Sequence, residues 1–327
     1  MRLLRGLRSG QALTGCVATI GNFDGVHLGH QAMITQLCSE ARTRELPSVV
    51  ISFEPLPHEY FLDLNSVTTS GEPPYRLQGL RNRIQSLQSL GVDYFLLLPF
   101  DASLAAESAT DFIQRVLVDA LQVKHLIVGD DFRFGHKRQG DLAMLRSAGA
   151  RSGYTVVEQQ TVTLLEHRIS SSRVRECLQK SDLSAAAELL GRPYRISGRV
   201  IHGEKVGRQL GFPTANVALK GLIPPLRGVF AVMAEVQESE QRFKAVANLG
   251  ERPTIGGRAL LLEVYLLDQN MDLYAKHLHV DFLAHIRGEQ KFESLDELKA
   301  QIAQDAEDAA ECLENPAMVR NPNNRIH

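Results

Sequence analysis

The stretch Gly21-Asn22-Phe23-Asp24-Gly25-Val26-His27-Leu28-Gly29-His30 decides how the rest of the chain is read. The apolar run Cys16-Val17-Ala18-Thr19-Ile20 leads into it and predicts a buried strand. Gly21, Gly25 and Gly29 break that strand and permit close backbone approach. Beyond Gly29, Ala32, Met33, Leu37 and Ala41 recur at steps of three and four, which predicts a helix. Strand, glycine-rich turn and helix place unpaired N–H groups and the positive end of a helix dipole at the carboxyl edge of a parallel sheet. That is an anion site. His27 and His30 stand three apart at that end, where both can face one phosphate. The spacing matches neither the lysine-bearing phosphate loop nor the dinucleotide fingerprint. A Gly-x-x-Gly turn before a helix is ordinary α/β construction; His-x-Gly-His in that place is the more specific feature.

Outward from the turn, apolar runs and helical stripes alternate. Ser48–Phe53, Asp93–Leu98, Lys124–Val128 and Gly153–Val157 read as further strands. Helices are predicted at roughly 76–90, with Leu80, Ile84, Leu87 and Leu90 on one stripe, and from Ser108 to about 120. The alternation implies a doubly wound parallel sheet with ligands beyond the carboxyl ends of its strands. Two more motifs fall at those ends. Gly129-Asp130-Asp131-Phe132-Arg133-Phe134-Gly135 reads as a substrate loop or as a pair of acidic caps, with Arg133, Lys137 and Arg138 as phosphate partners. Arg168-Ile169-Ser170-Ser171-Ser172-Arg173-Val174-Arg175 combines hydroxyls and guanidinium groups at a helix start, which suits both capping and polyphosphate. Helices at 173–179 and 182–190 then close the first part.

At Gly191-Arg192-Pro193-Tyr194 the texture changes to short strands, at 196–201, 229–236, 243–249, 260–267 and 277–282, which predict an antiparallel barrel or sandwich. An amphipathic helix at about 294–312 begins at Ser294 with Glu297 three later, a capping box. The stretch 203–216, Gly-Glu-Lys-Val-Gly-Arg-Gln-Leu-Gly-Phe-Pro-Thr-Ala-Asn, sets Gly203, Gly207 and Gly211 around Lys205 and Arg208 as a phosphate-capable flap. Thr214 and Asn216 place two neutral oxygens one residue apart, which suits a magnesium ion also held by phosphates. Glu263, within Leu262-Glu263-Val264-Tyr265, is either an exposed residue of an edge strand or a general base near a substrate hydroxyl.

The bulk numbers exclude several classes. At 327 residues with 44% hydrophobic and 23% charged positions, the chain supports a packed core and two domains. Residues 1–190 carry 19 Lys/Arg against 20 Asp/Glu, and residues 191–327 carry 17 against 18, so neither half has the charge of a nucleic-acid binder. Cys16, Cys38, Cys177 and Cys312 have no metal-ligand spacing. No signal peptide or membrane-length apolar run is read, so a soluble cytoplasmic protein is expected.

The first motif is similar to the His-x-Gly-His signature of the nucleotidyltransferase superfamily, whose histidines stabilise the phosphates of ATP during attack on its α-phosphorus. Taken with the second half, the chain resembles the bacterial bifunctional riboflavin kinase/FAD synthetases over nearly its whole length. The resemblance rests on Gly21–His30, Phe53-Glu54-Pro55, Gly129–Gly135 and Arg168–Arg175 in the first half. In the second it rests on Gly203–Asn216, Gly228-Val229-Phe230, Ala247–Gly250, Arg252-Pro253-Thr254, Leu262-Glu263-Val264, and Arg287 with Glu289. Ser172 and Gln78 replace the Thr usual in the family, and Asp131 replaces an Asn found in some members.

The resemblance implies a Rossmann-like FMN adenylyltransferase domain over 1–187 and a Greek-key barrel riboflavin kinase domain, with a terminal helix, over 188–327. It implies ATP, riboflavin, FMN and FAD as substrates and products and magnesium as cofactor; weak self-association is an expectation beside it. Catalytic roles fall to Glu263, His27, His30 and Arg168. ATP or phosphate contacts fall to Gly21, Asn22, Phe23, Asp24, Gly29, Ser171, Ser172, Arg175, Gly203, Lys205, Gly207, Arg208 and Gly211. Asp131, Phe132, Arg133, Asn248, Arg287 and Glu289 would bind flavin, and Thr214 and Asn216 the metal. The rival reading is a monofunctional flavokinase with a silent first domain.

Overall fold

The computed structural model describes residues 1–7, 13–64, 75–164, 167–203, 210–239, 241–254, 257–267, 269 and 271–315. The chain divides into two compact units, Met1–Pro74 with Leu80–Ile169, and Tyr75–Gly79 with Ser170–His327.

The first unit is built on β1 (Arg2–Arg5), β2 (Cys16–Ile20), β3 (Ser48–Glu54), β4 (Tyr94–Pro99), β5 (Val123–Gly129) and β6 (Thr155–Gln159). They form one sheet in the order β1-β4-β3-β2-β5-β6, every pair parallel. The order reverses at β2, which lies between β3 and β5, so the carboxyl end of β2 is the switch point where such sheets bind ligands. Successive side chains serve opposite faces. Ala18, Ile20, Ile51 and Val128 join one core with Phe112, Val116 and Leu145. Val17, Val50 and Ile127 join the other with Ile34, Leu37 and Leu87 of the helices α1 (Leu28–Thr43) and α3 (Leu80–Ser89). Burial on both faces explains why these strands read as continuous apolar runs.

The structure extends the sequence reading in three places. Arg2–Arg5, not anticipated as a strand, is an edge strand paired with β4, and its Leu4 is buried. Helix α2 (Pro57–Leu64), α4 (Ala102–Ala106) and α6 (Leu142–Ser152) are short or weakly striped and were not anticipated. The helix expected from 76 starts at Leu80, because Tyr75–Gly79 belongs to the second unit, where the Arg76 N–H donates to Ile223 O at 3.0 Å. Ser108 does cap its helix, α5 (Ala109–Phe112), which continues as a π-helix over Ile113–Ala120.

The second unit is a closed antiparallel barrel of β9 (Tyr194–Ile201), β10 (Thr214–Val217), β11 (Gly228–Val236), β12 (Gln241–Thr254), β13 (Gly257–Leu266) and β14 (His277–Arg287), in the order β10-β13-β12-β11-β14-β9. Strand β10, unanticipated as a strand, bridges β13 and β9 and completes the closure. Helix α9 (Leu295–Glu314 in chain order, after α7 at Ser171–Gln179 and α8 at Leu183–Leu190) is capped by Ser294, whose Oγ accepts the Glu297 N–H at 3.2 Å. The Glu297 carboxylate reaches back to the Glu293 N–H rather than to Ser294, one residue short of a full capping box. Ala309 and Cys312 of α9 pack on Val229, Ala231 and Val246 of the barrel wall. Helix α8 packs on β9 and β14, so α7 and α8 fold with the barrel although they precede the change in sequence texture.

Candidate active sites

In the first unit the glycine-rich turn begins where β2 ends. The Gly21 N–H donates to Ile51 O at 3.1 Å, so the turn leaves the sheet in register with β3. Phe23 (φ 49°), Gly25 (φ 83°) and Val26 (φ 43°) lie in the left-handed region, a strained course for the two non-glycine residues that the surroundings must hold. They do so by burial: Phe23, Asp24 and Val26 are all within the core. A Cβ on Gly21 would come within 3.1 Å of the Phe23 ring.

His27 is the N-cap of α1, its Nδ1 accepting the His30 N–H at 3.3 Å. The two imidazoles stack with centroids 3.6 Å apart and an angle of 15°. Gly29 makes room for this arrangement, since a Cβ there would lie 3.2 Å from His27 Nδ1. His30 leans on Phe23 at 5.1 Å, and its buried Nδ1 has no hydrogen-bond partner among the described residues. Burial, with His27 adding to it, holds the His30 imidazole well below its ordinary pKa, so it is neutral at pH 7. The structure thus brings together all the residues assigned to this turn.

A residue absent from the sequence reading anchors the same turn. Arg83 of α3 is 1% exposed, and its guanidinium donates to Asn22 O at 2.9 Å, Phe53 O at 3.2 Å and the Glu54 carboxylate at 2.9 Å. Its signal was present: position 83 falls on the Leu80–Ile84–Leu87 stripe, where a cation is out of place unless paired.

At the end of β5, Arg168 of β8 (His167–Arg168; its partner β7 is Thr163–Leu164) pairs with Asp130 at 3.2 Å and Asp131 at 2.7 Å. The Thr161 hydroxyl, and then Arg168, hold the Asp130 carboxyl below the usual carboxylate range. Phe132 stacks on Phe134 at 5.4 Å, and Arg133 pairs with Asp141 at 3.2 Å. Lys137 and Arg138 lie exposed on a 3-10 turn. A separate cluster of Phe53, Phe100, Tyr60 and Phe61 sits at the carboxyl ends of β3 and β4, with Phe61 46% exposed.

Ser170, rather than Ser171 or Ser172, caps α7 by accepting the Arg173 N–H at 3.3 Å; the next two serines form the helix's first turn. Arg175 donates from Nε to Tyr75 O at 3.1 Å, holding the short segment that precedes α3.

The barrel gathers its candidates across strands. Glu263 of β13 stands opposite Asn216 of β10 on one side and Asn248 of β12 on the other. Directly opposed residues of antiparallel strands share a face, with Cβ atoms about 4.5–5.5 Å apart. Asn216, Glu263 and Asn248 therefore form a single row. Strand β13 is paired on both sides, which removes the edge-strand reading of Glu263.

Two clefts flank this row. One, of about 420 Å³, is lined by His202, Gly203, Pro213–Asn216, Leu266 and Met271–Tyr274 among others. The second, of about 320 Å³, is lined by Phe212, Thr214, Asn248, Glu263, Tyr265, Arg287, Glu289, Phe292 and Asp305 among others. Thr214 borders both. The second cleft collects Asn248, Arg287 and Glu289, and offers Phe212, Tyr265 and Phe292 as aromatic walls in a chain without Trp. Arg287 is itself engaged by a two-bond pair with buried Asp305, both contacts 2.8 Å, which fastens α9 to β14. Glu289 accepts the Glu251 N–H at 3.2 Å, and a Cβ on Gly250 would lie 2.3 Å from its carboxylate.

The donor set at Thr214 and Asn216 fits magnesium. A Cβ on Gly203 would meet the Asn216 carboxamide at 2.3–2.9 Å, so the bare glycine backbone lets that amide sit where it does. Among the described residues no group of three His, Cys, Asp or Glu side chains is placed to hold a metal, so an ion here needs phosphate oxygens as well. Gly211 (φ 93°) is at the edge of the described flap; Lys205, Gly207 and Arg208 lie outside the described residues.

Comparison with known proteins agrees with both halves. Residues 9–173 match the family model for FAD synthetase and residues 190–313 that for riboflavin kinase. The first match takes in Ser170–Arg173, which pack with the second unit. The chain is 46% identical to the bifunctional riboflavin kinase/FMN adenylyltransferase of Haemophilus influenzae, over 94% of this chain and 98% of that one. It is 48% identical to the protein of the same description in Escherichia coli K12, over 93% and 96%. A crystal structure from Streptococcus pneumoniae described as a macrolide-efflux protein superposes with a TM-score of 0.76 at 28% identity, covering 95% of this chain and 99% of that one. Among the described residues no helix is long and apolar enough to cross a membrane.

A nucleotidyltransferase-type parallel sheet joined to a flavokinase-type barrel defines a two-activity flavin-cofactor enzyme. The chain belongs to the bifunctional riboflavin kinase/FMN adenylyltransferase family.

Proposed function

We propose a residue-level division of labour for this chain, which as a member of that family is a riboflavin kinase and an FMN adenylyltransferase. Matches to both family models, with bifunctional relatives covering nearly the full length, count against a monofunctional flavokinase.

The barrel unit, assigned to residues 188–327, phosphorylates riboflavin. The ribityl 5′-hydroxyl is a poor nucleophile at neutral pH and needs a base. Glu263 accepts its proton as the oxygen attacks the γ-phosphorus of ATP and ADP leaves, giving FMN. Thr214 and Asn216 would hold a magnesium ion that the nucleotide phosphates also ligate, and the ion would supply charge neutralisation on the phosphate oxygens. Asn248, Arg287 and Glu289 orient the flavin in the second cleft. The observation that supports this assignment is the row Asn216–Glu263–Asn248, in which the residues assigned as metal ligand, base and flavin contact stand side by side, beside two clefts that both border Thr214. Positioning and charge stabilisation then supply most of the rate.

The FMN adenylyltransferase domain, assigned to residues 1–187 and so taking in the serine motif that packs with the barrel unit, transfers the adenylyl group. The FMN phosphate attacks the α-phosphorus of ATP, and pyrophosphate leaves. That phosphate, with a second pKa near ~6, is already ionised at pH 7, so no base is required. His27, His30 and Arg168 stabilise the developing charge. Gly21–Asp24 and Gly29 let the phosphates approach the backbone, and Ser171, Ser172 and Arg175 are further phosphate donors on their chemistry. Asp131, Phe132 and Arg133 border the flavin, for which the Phe53–Phe100–Tyr60–Phe61 cluster is the aromatic surface at the sheet's carboxyl edge. The enzyme works in the cytoplasm, on small molecules and without nucleic acid, with weak self-association.

A time course with ATP, Mg²⁺ and riboflavin tests the scheme. FMN should rise first and FAD follow. FMN without FAD would overturn the adenylyl-transfer assignment, and FAD from added FMN without riboflavin turnover would overturn the kinase assignment.

A further inference from the structure

We propose that Arg83 is a positioning residue for adenylyl transfer, its buried guanidinium setting the height of the nucleotide turn and hence where His27 and His30 meet the phosphates. The inference rests on the reading of that turn as the adenylyl-transfer site.

The guanidinium spans two strand ends. It donates to Asn22 O, within the turn that follows β2, and to Phe53 O and Glu54 at the end of β3. Asn22 O also receives the Ser52 hydroxyl at 3.3 Å, and Arg83 Nη1 stands 3.4 Å from the same hydroxyl. One carbonyl of the turn is thus clamped from two sides. The far end of the turn is clamped as well, because Gln31 of α1 donates to Val26 O at 2.9 Å. Between the clamps run the left-handed residues Phe23 and Val26, which have no conformational reserve to absorb a shift. A displacement at Asn22 is therefore passed to the N-cap His27 and its stacked partner His30.

Arg83 is 1% exposed and lies against the Phe95 ring, 5.7 Å from its centroid, so it acts from beneath the turn without touching a ligand. A planar fork reaches the Asn22 carbonyl and the Glu54 carboxylate at once, whereas a lysine ammonium is a point charge that serves one of them.

The test uses the full-length enzyme, whose riboflavin kinase activity is the internal control. In Arg83→Lys, kcat for FAD formation from FMN should fall about 10–100-fold, the cost of a small misplacement of reacting groups. KM for ATP should stay within about threefold, and riboflavin phosphorylation by the same preparation should be unchanged. Ser52→Ala, which removes the second donor to Asn22 O and no charge, should lower FAD formation several-fold in the same way; it decides the matter if Arg83→Lys does not fold. A purely structural role for Arg83 predicts that FAD formation recovers the wild-type rate when assayed well below the unfolding midpoint, and that result overturns the proposal. So does a rate within twofold of wild type in both variants, or a rise in KM with kcat intact. Wild-type enzyme that forms no FAD at all would instead remove the underlying reading of the turn.

Discussion

In the parallel-sheet unit, Gly21 to His30 are ten consecutive positions, folded into one turn and the first residues of one helix. In the barrel unit, Asn216, Asn248 and Glu263 come from three strands and meet only because β10, β13 and β12 are neighbours. The first site is local and backbone-rich: a glycine-rich turn, a helix N-terminus and two stacked imidazoles within ten residues. The second is a product of strand register, which sets one carboxylate and two carboxamides in a row on one face. A local site is sensitive to whatever holds its turn; a register site is sensitive to whatever sets neighbouring strands. One chain therefore carries two sites that should fail independently.

The largest effect that sharpens this contrast is the loss of both imidazoles. His27→Ala with His30→Ala should lower FAD formation by about 10³-fold or more while FMN formation from riboflavin continues at the wild-type rate. Parallel loss of both activities in a folded variant would break the two-site picture. Next comes Glu263→Gln, which should slow riboflavin phosphorylation by about 10²–10⁴-fold and leave FAD formation from added FMN intact, as measured by product chromatography. A wild-type rate would remove Glu263 as the base.

A milder probe is Gly203→Ala. The new Cβ would press on the Asn216 carboxamide, so the Mg²⁺ concentration needed for half-maximal kinase activity should rise by roughly 3–10-fold, the scale of a positioning defect rather than of a lost group. An unchanged Mg²⁺ requirement would separate Asn216 from the metal.

The smallest effect is on stability. His30 is held below its ordinary pKa by burial and by His27, and burial lowers His125 as well. The unfolded chain then binds more protons than the folded one below the ordinary histidine value of 6.5, so this contribution is complete above that pH and is lost as the pH falls through it. The first unit should lose unfolding temperature between pH 7 and pH 5, and His30→Gln should reduce that loss. An identical pH profile in the variant would contradict the neutral, buried assignment of His30.

Legibility followed the same division. The strand–turn–helix around Gly21–His30 was readable because strand burial, glycine placement and helical period all act within a few residues. Arg83 was missed because its role depends on where α3 packs, although its place on an apolar stripe marked it. The run Ser170–Ser172 reads as cap material without showing which serine caps; Ser170 does that work, a one-residue choice that any run of serines leaves open. Strand β10 was hidden inside a motif read for its donors, and at four residues it is too short to show a period. Arg175, chosen for its charge, is tied to the Tyr75 carbonyl, a partner 100 positions away that no local pattern indicates.

By itself the sequence determined the succession of buried strands and helices, the change of texture after Gly191, and the identity of the side chains able to meet phosphate, metal and hydroxyl. These follow from periodicity and functional-group chemistry, which are properties of neighbouring residues. Only the tertiary structure decided that β2 lies at the switch of the sheet, that Arg83 clamps Asn22, that α7 and α8 pack with the barrel unit, and that Glu263 sits between Asn216 and Asn248. Those facts depend on strand order and register, which are set by burying faces far apart in the chain against one another.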